Sequence, residues 1–141
     1  MVTEPPITRE TMFTELLSAV PALQTQWDEF VCEYEGEPET QTDGPPLYLF
    51  LGDLARWTET QLRKRNSGDL QAMFEIVERW HTQGDDYVRE AATIGFLEAL
   101  QGVTTKRQQG ALINRWLGPE STLWWHRLNA FWEGDSTALQ E

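Results

Sequence analysis

The stretch YVREAATIGFLEALQ, residues 87–101, decides the fold, because it is apolar on most sides through AATIGFLEAL. A helix with so little polar surface belongs inside an assembly of other helices. Gly95 stands in its middle, where glycine costs about 1 kcal/mol relative to alanine in an exposed helix. We therefore expect a central, buried helix over 87–101, ended by Gly102, in which Gly95 lets a neighbouring helix approach closely.

Amphipathic helical patterns lie on both sides of this segment. Apolar residues recur at the 3.6-residue spacing of a helix, and no alternation typical of a strand extends beyond four residues. The further helices are predicted at about 12–20, 23–34, 47–65, 70–81, 112–117 and 124–132. Pro21 opens the second of these, Asn66-Ser67-Gly68 forms a turn, and Gly118-Pro119 ends one helix and starts the next.

The ends of these helices also carry recognisable signals. Gly84 is expected at the left-handed position that follows a helix, and Asp85 and Asp86 are placed to cap the next helix. Because the connections are short, neighbouring helices should run antiparallel. Residues 1–141 are thus predicted to form one all-α domain of about seven antiparallel helices, an arrangement compatible with a short solenoid-like stack of helix pairs.

The formal charge of the chain is −12, and nearly all of it lies in the first third. Residues 1–53 hold 11 acidic residues against one basic residue, Arg9, for a net charge of −10, and the remainder has a net charge of −2. Such a chain should be repelled by nucleic acid and by anionic membranes, so a partner held by charge should be basic. The basic run Arg63-Lys64-Arg65 is interpreted as charge that complements the end of a helix.

Seven acids and no base lie between residues 28 and 43. The pattern places Asp28, Glu29 and Glu33 on the polar side of the second helix. The other four continue from there into a flexible acidic loop at about 36–46. Like charges this close destabilise the fold, so the stretch is either a solvated face kept for solubility or a docking surface for a basic partner. The candidate partner-binding acids are Asp28, Glu29, Glu33, Glu35, Glu37, Glu39 and Asp43.

Aromatic residues supply both core and candidate anchors. Five tryptophans fall on apolar faces and are assigned to the core, namely Trp27, Trp80, Trp116, Trp124 and Trp132. Trp57 and Trp125 flank stripes that already hold Leu and Phe, so their place stays open. Trp27 and Tyr48 flank the acidic stretch and are candidate anchors for a partner.

Catalytic, cofactor and metal sites have no support in the sequence. His81 lies on an apolar face and is expected to be a hydrogen-bonded core residue, whereas His126 and Cys32 are expected to be exposed. There is no glycine-rich phosphate loop, no HExxH zinc motif and no calcium loop. We therefore expect no catalysis, no cofactor and no metal. The N-terminal MVTEPPITRE has no basic region followed by an apolar run, which predicts a cytoplasmic protein.

Three segments carry a resemblance to a known family. These are YLFLGDLARW (48–57), VREAATIGFLEALQ (88–101) and LGPESTLWWHRLNAFWEGD (117–135). Over roughly residues 47–135 the chain resembles small bacterial proteins of uncharacterised function that include candidate immunity proteins of polymorphic toxin systems, of the Rhs or contact-dependent type.

The resemblance implies a partner class. It implies an immunity protein that binds a cognate toxin domain, which we expect to present a basic surface, and the acidic segment outside the shared region is the natural place for partner choice. The alternative is a helical adaptor or regulatory scaffold that binds a basic protein through the same surface. The sequence leaves the oligomeric state open.

Overall fold

The computed structural model describes residues 5–34, 47–105, 110–134 and 137–139, and within these ranges the chain is all-α, as predicted. The helices are α1 (Met12–Ala19), α2 (Gln24–Tyr34), α3 (Leu47–Lys64), α4 (Ser67–Gln83), α5 (Asp86–Glu90, Ala91–Leu97 and Glu98–Thr105 in succession), α6 (Gly110–Asn114) and α7 (Pro119–Trp132). A short 3₁₀ turn, Pro21–Leu23, leads into α2. No helix in the described part of the chain is long and apolar enough to cross a membrane.

Helix α5 is the central helix, as its composition predicts. Its middle segment, Ala91–Leu97, is a π-helix between two α-helical segments. Ala91, Ala92, Phe96 and Leu97 have no exposed surface. The helix continues through Gly102 to Thr105, so the expected end at Gly102 is wrong. Gly102 is exposed and its backbone stays helical, so it does not end the helix.

Gly95 brings α5 against α3, as expected. A Cβ atom built on Gly95 would lie 2.6 Å from Cδ1 of Leu51, which is itself fully buried. Any side chain at this position would therefore force the two helices apart or displace Leu51 from its rotamer.

An aromatic cluster joins α1, α2 and α3. The ring of Phe13 stacks on Trp27 with centroids 5.0 Å apart, and Phe50 meets both rings edge-on at 5.3 and 4.9 Å. Trp80 of α4 has no exposed surface and its indole N–H donates to the carbonyl oxygen of Met12 at 3.2 Å. The N-terminal helices are thus fixed to the core by rings and one buried hydrogen bond.

The prediction that Gly84 adopts a left-handed conformation is wrong. Gly84 has φ −75° and ψ 153°, which is extended backbone. The reason is an isolated bridge to the N-terminal segment, in which the Ile7 N–H donates to Gln83 and the Ile7 carbonyl accepts from Asp85, both at 2.9 Å. Asp85 caps α5 as predicted, since its carboxylate accepts from the Val88 N–H at 2.9 Å. Asp86 instead pairs with Arg89.

The last two helices differ most from the prediction. Helix α6 ends at Asn114. Ile113 is fully buried, whereas Leu112 is 45% exposed. In α7 the core tryptophan is Trp125, 4% exposed, whereas Trp132 is 59% exposed and its core assignment is wrong. A helix face about 100° wide admits only some of the aromatic residues that share a stripe.

Substituting Gly95 by alanine should destabilise the protein by about 1–3 kcal/mol, because the new methyl group overpacks the contact with Leu51. Urea denaturation followed by circular dichroism gives the free energy of unfolding. In the double variant G95A/L51A the two losses should be less than additive, since shortening Leu51 opens the space that the methyl group needs.

Gly102→Ala is the matched control. It lies in the same helix with nothing within 4 Å of the added Cβ, so the substitution should stabilise the protein by roughly 0.5–1 kcal/mol. Equal effects of G95A and G102A on stability would show that the approach to Leu51 does not limit packing.

Candidate functional site

The described candidate acids lie on one exposed side of α2. Asp28, Glu29 and Glu33 are all exposed, because the opposite side of the helix points Phe30, 4% exposed, into the core. The amide of Gln24 donates to the Asp28 carboxylate at 2.9 Å. Within the part of the chain that the structure describes, none of the three acids forms an ion pair. The other candidate acids, Glu35, Glu37, Glu39 and Asp43, and the loop at 36–46, lie outside the described residues.

The two candidate anchors take different places. Trp27 is half-buried in the aromatic cluster, between Phe13 and Phe50, and so ties the acidic helix to the core. Tyr48 is 39% exposed at the start of α3, and its ring lies 6.3 Å from the ring of Tyr87 on α5. The structure therefore groups Trp27 with the α2 acids and places Tyr48 against the first turn of α5.

The surroundings of Tyr48 hold its hydroxyl neutral. Partial burial, the nearby Glu90 carboxylate and Tyr87 raise the pKa of Tyr48 to about 12. Burial also raises the pKa of Tyr87, against the opposing effect of the Arg9 guanidinium, which lies 5.1 Å from the ring centroid. Two tyrosines, one arginine and one glutamate thus form a second surface patch beside the α3 and α5 helix starts.

A partly buried polar network that the sequence did not reveal joins α4 to α7. The carboxylate of Glu78 accepts from the backbone N–H of Ser121 at 2.9 Å and of Glu120 at 3.0 Å, and so caps the N-terminus of α7. A Cβ on Gly118 would lie 2.5 Å from Cδ of Glu78, which explains the glycine there. The capping carboxylate comes from a residue about 40 positions earlier in the sequence, on another helix. A local capping motif therefore could not predict it.

His81 completes this network and is a core residue, as predicted. Its Nδ1 lies 3.0 Å from the Val77 carbonyl and 3.2 Å from Oγ of Ser121, and its Nε2 lies 3.1 Å from Oγ1 of Thr93. The Ser121 hydroxyl donates to Glu78. In the neutral tautomer with hydrogen on Nδ1, that N–H donates to the Val77 carbonyl, and Nε2 faces the Thr93 hydroxyl, which also lies 3.2 Å from the Arg89 carbonyl oxygen.

The surroundings of His81 and Glu78 shift the pKa values of both groups. Burial lowers the pKa of His81 and outweighs the opposing contributions of the Val77 carbonyl and of nearby carboxylates. Burial alone would raise the pKa of Glu78, but the hydrogen bonds from Ser121 and Glu120 outweigh it and lower that pKa. Near neutral pH the folded state therefore holds Glu78 charged and His81 neutral, and protonation of His81 at lower pH opposes folding.

A cavity of about 490 Å³ lies beside this network, and its lining includes His81, Thr93, Glu120 and Trp124. Ser121, whose Oγ contacts His81, is 1% exposed. No carboxylate oxygen hydrogen-bonds to His81 among the described residues. Cys32 and His126 are exposed, as predicted, and no cluster of metal-ligating side chains occurs in the described ranges.

The comparisons with known proteins give a family. A family model described as a domain of unknown function, DUF7674, matches residues 13–133. No curated protein and no solved structure matches the chain.

The burial of His81 predicts how stability depends on pH. The pKa of His81 is lowered in the folded state from the ordinary value of 6.5, so below about pH 6.5 the unfolded chain binds more protons than the folded protein. The free energy of unfolding should therefore fall as pH falls from about 7 to about 5, by at most about 1.4 kcal/mol per pH unit from this group.

Urea denaturation at a series of pH values measures this slope. His81→Gln, which cannot titrate, should flatten it over this window. The control His126→Gln, at an exposed position, should leave it unchanged. A slope in H81Q as steep as in the wild-type protein would contradict the assignment of the effect to His81.

Proposed function

The chain belongs to the DUF7674 family, a domain of unknown function, and we propose that this member is an immunity protein that neutralises a cognate bacterial toxin domain by direct contact through the acidic face of α2. The partner is a toxin domain with a basic surface, and the protein acts in the cytoplasm by binding, with no reaction of its own. The resemblance of residues 47–135 to a family with candidate immunity proteins supports the choice of a toxin as partner.

The observation that carries the proposal is the unpaired charge of α2. Asp28, Glu29 and Glu33 are exposed together on a helix, Gln24–Tyr34, that has no basic residue. Stability alone would favour mixed charges on such a face, because repulsion between like charges is then relieved. In residues 54–141 the net charge is only −2, so the excess negative charge of the chain is concentrated in the region that includes α2.

The packing of α2 suits a docking surface. Phe30 is buried and the Trp27 ring contacts Phe13 and Phe50, so the helix is already fixed before a partner arrives. A pre-formed surface loses little conformational entropy on binding. Toxins that act on nucleic acid need a cationic groove for their substrate, and an acidic helix face is complementary to such a groove. The protein would then inhibit by occupying the groove.

A helical adaptor that binds a basic protein through the same face is the second candidate function. Its support is the same unpaired charge on α2, which specifies a basic partner without specifying a toxin. The two candidates differ in the partner's gene, because an immunity gene should lie directly beside the end of a large toxin gene. Co-purification with the product of the neighbouring gene, and rescue of growth when that product is expressed, would favour the immunity protein.

Reversing the charge of α2 with D28K/E29K/E33K should slow association with the partner by about tenfold or more, because electrostatic steering is lost. Biolayer interferometry with the purified toxin domain encoded by the neighbouring gene measures the association rate. The wild-type rate should fall as salt is raised from about 50 to 500 mM, and the rate of the reversed variant should not.

The matched control is E75K/E90K/E133K, which makes the same change in net charge with three exposed acids from α4, from α5 and from the end of α7. It should slow association far less than the α2 variant. Equal slowing by both variants would show that only net charge matters, and unchanged neutralisation by the α2 variant would refute docking through this face.

A further inference from the structure

A second cavity, of about 510 Å³, lies where the end of α3 and the start of α4 meet the residues that follow α6. Its lining is divided between apolar and cationic side chains. The apolar part includes Leu62 and Leu70, which are buried, Leu112, which is 45% exposed, and half-buried Trp116. The cationic part consists of Arg65 and Arg115, both exposed.

The two arginines of this cavity have no acidic partner in the described part of the chain. The four ion pairs found there use Arg56, Arg63, Arg79 and Arg89. The basic run at the end of α3 therefore divides: Arg63 pairs with Glu59, 2.9 Å between Nε and Oε1, whereas Arg65 lines the cavity. In a chain with 23 acids and 11 bases, two unpaired cations at one cavity are a local exception to the overall charge.

The backbone at Arg65 is strained. Arg65 has φ 57°, and it is the one non-glycine residue with positive φ in the described ranges. Glycine adopts this left-handed conformation without steric cost and is common just after a helix, where Arg65 lies. An arginine at this position makes the folded protein less stable than a glycine would, and it places a guanidinium group at the cavity.

The start of α4 adds partial positive charge to the same place. Ser67, its first residue, also lines the cavity. Asn66 at the N-cap makes no side-chain cap hydrogen bond, because its amide donates to Gln61 and to Asp69, each at 2.9 Å. The helix N-terminus is thus without a side-chain cap, although the Asp69 carboxylate in the first turn offsets part of its charge.

We propose that this cavity binds an amphiphilic anion, a small molecule with one phosphate or carboxylate group and an apolar chain. The guanidinium groups of Arg65 and Arg115 would hold the anion, and Leu62, Leu70 and Trp116 would contact the chain. Two unpaired arginines beside a wall of leucines and tryptophan suit this combination of groups, whereas a fully polar anion would leave the apolar wall in water. The α2 acids do not line the cavity, so the proposal is independent of partner binding.

Isothermal titration calorimetry of the full chain with octyl phosphate, below its micelle-forming concentration and at low ionic strength, tests the proposal. Octyl phosphate should bind, and its affinity should fall about tenfold or more in R65Q/R115Q. Inorganic phosphate, which lacks the chain, and octanol, which lacks the charge, should each bind at least about tenfold more weakly than octyl phosphate.

Two variants separate loss of the site from loss of the fold. Arg56→Gln removes a cation from the exposed face of α3, outside the cavity lining, and should leave octyl phosphate binding unchanged. Arg65→Gly relieves the left-handed strain, so it should raise the melting temperature by about 3 °C while it weakens binding. A more stable variant that loses affinity cannot owe the loss to unfolding.

Three results would overturn the proposal. One is octyl phosphate binding that is absent in the wild-type protein or equal in R65Q/R115Q. Another is binding of inorganic phosphate as tight as that of octyl phosphate, which would leave only a simple anion site. The third is co-sedimentation with phosphatidylglycerol vesicles that depends on both arginines, which would assign the anion to a membrane surface in place of a free ligand.

Discussion

The contact between Gly95 and Leu51 sets the distance between α3 and α5, and the remaining helices pack around that pair. Helix α4 reaches α5 through the hydrogen bond of His81 to Thr93, and α7 reaches it through the Gln101 side chain, which donates to the Trp125 carbonyl. Helices α1 and α2 contact α3 through the aromatic cluster, and α1 also contacts α4 through the hydrogen bond from Trp80 to Met12. An alanine at position 95 would therefore disturb more than one interface.

Charged side chains in this protein have two separate roles, one in the fold and one that we assign to binding. At the contact between α4 and α7, half-buried Glu78 accepts from two backbone N–H groups at the start of α7, which stabilises its charge. Outside, Asp28, Glu29 and Glu33 form no ion pairs among the described residues. The same contrast appears among the cations, since Arg63 is paired and Arg65 is not. Unpaired charges that the core does not need are the ones we assign to binding.

The sequence predicted most of the fold because its central helix is distinctive. The run of apolar residues around Gly95 predicted both burial and close approach, and both are confirmed. The extended backbone of Gly84 could not be predicted, because it depends on pairing with Ile7 across the fold. The cap that Glu78 supplies to α7 could not be predicted either, because it joins residues that are far apart in the sequence. Among the candidate site residues, the exposure of the α2 acids followed from periodicity, whereas the half-buried position of Trp27 depends on rings from α1 and α3.

The central claim is that a self-sufficient helical core carries an acidic face that it does not need for folding. Urea denaturation of D28N/E29Q/E33Q at low and high salt tests this most directly, because the substitutions remove charge and keep size and shape. We expect a free energy of unfolding equal to or above that of the wild-type protein at low salt, with any difference shrinking as salt screens the repulsion. A clear loss of stability in this variant would show that the acids support the fold and would contradict the account.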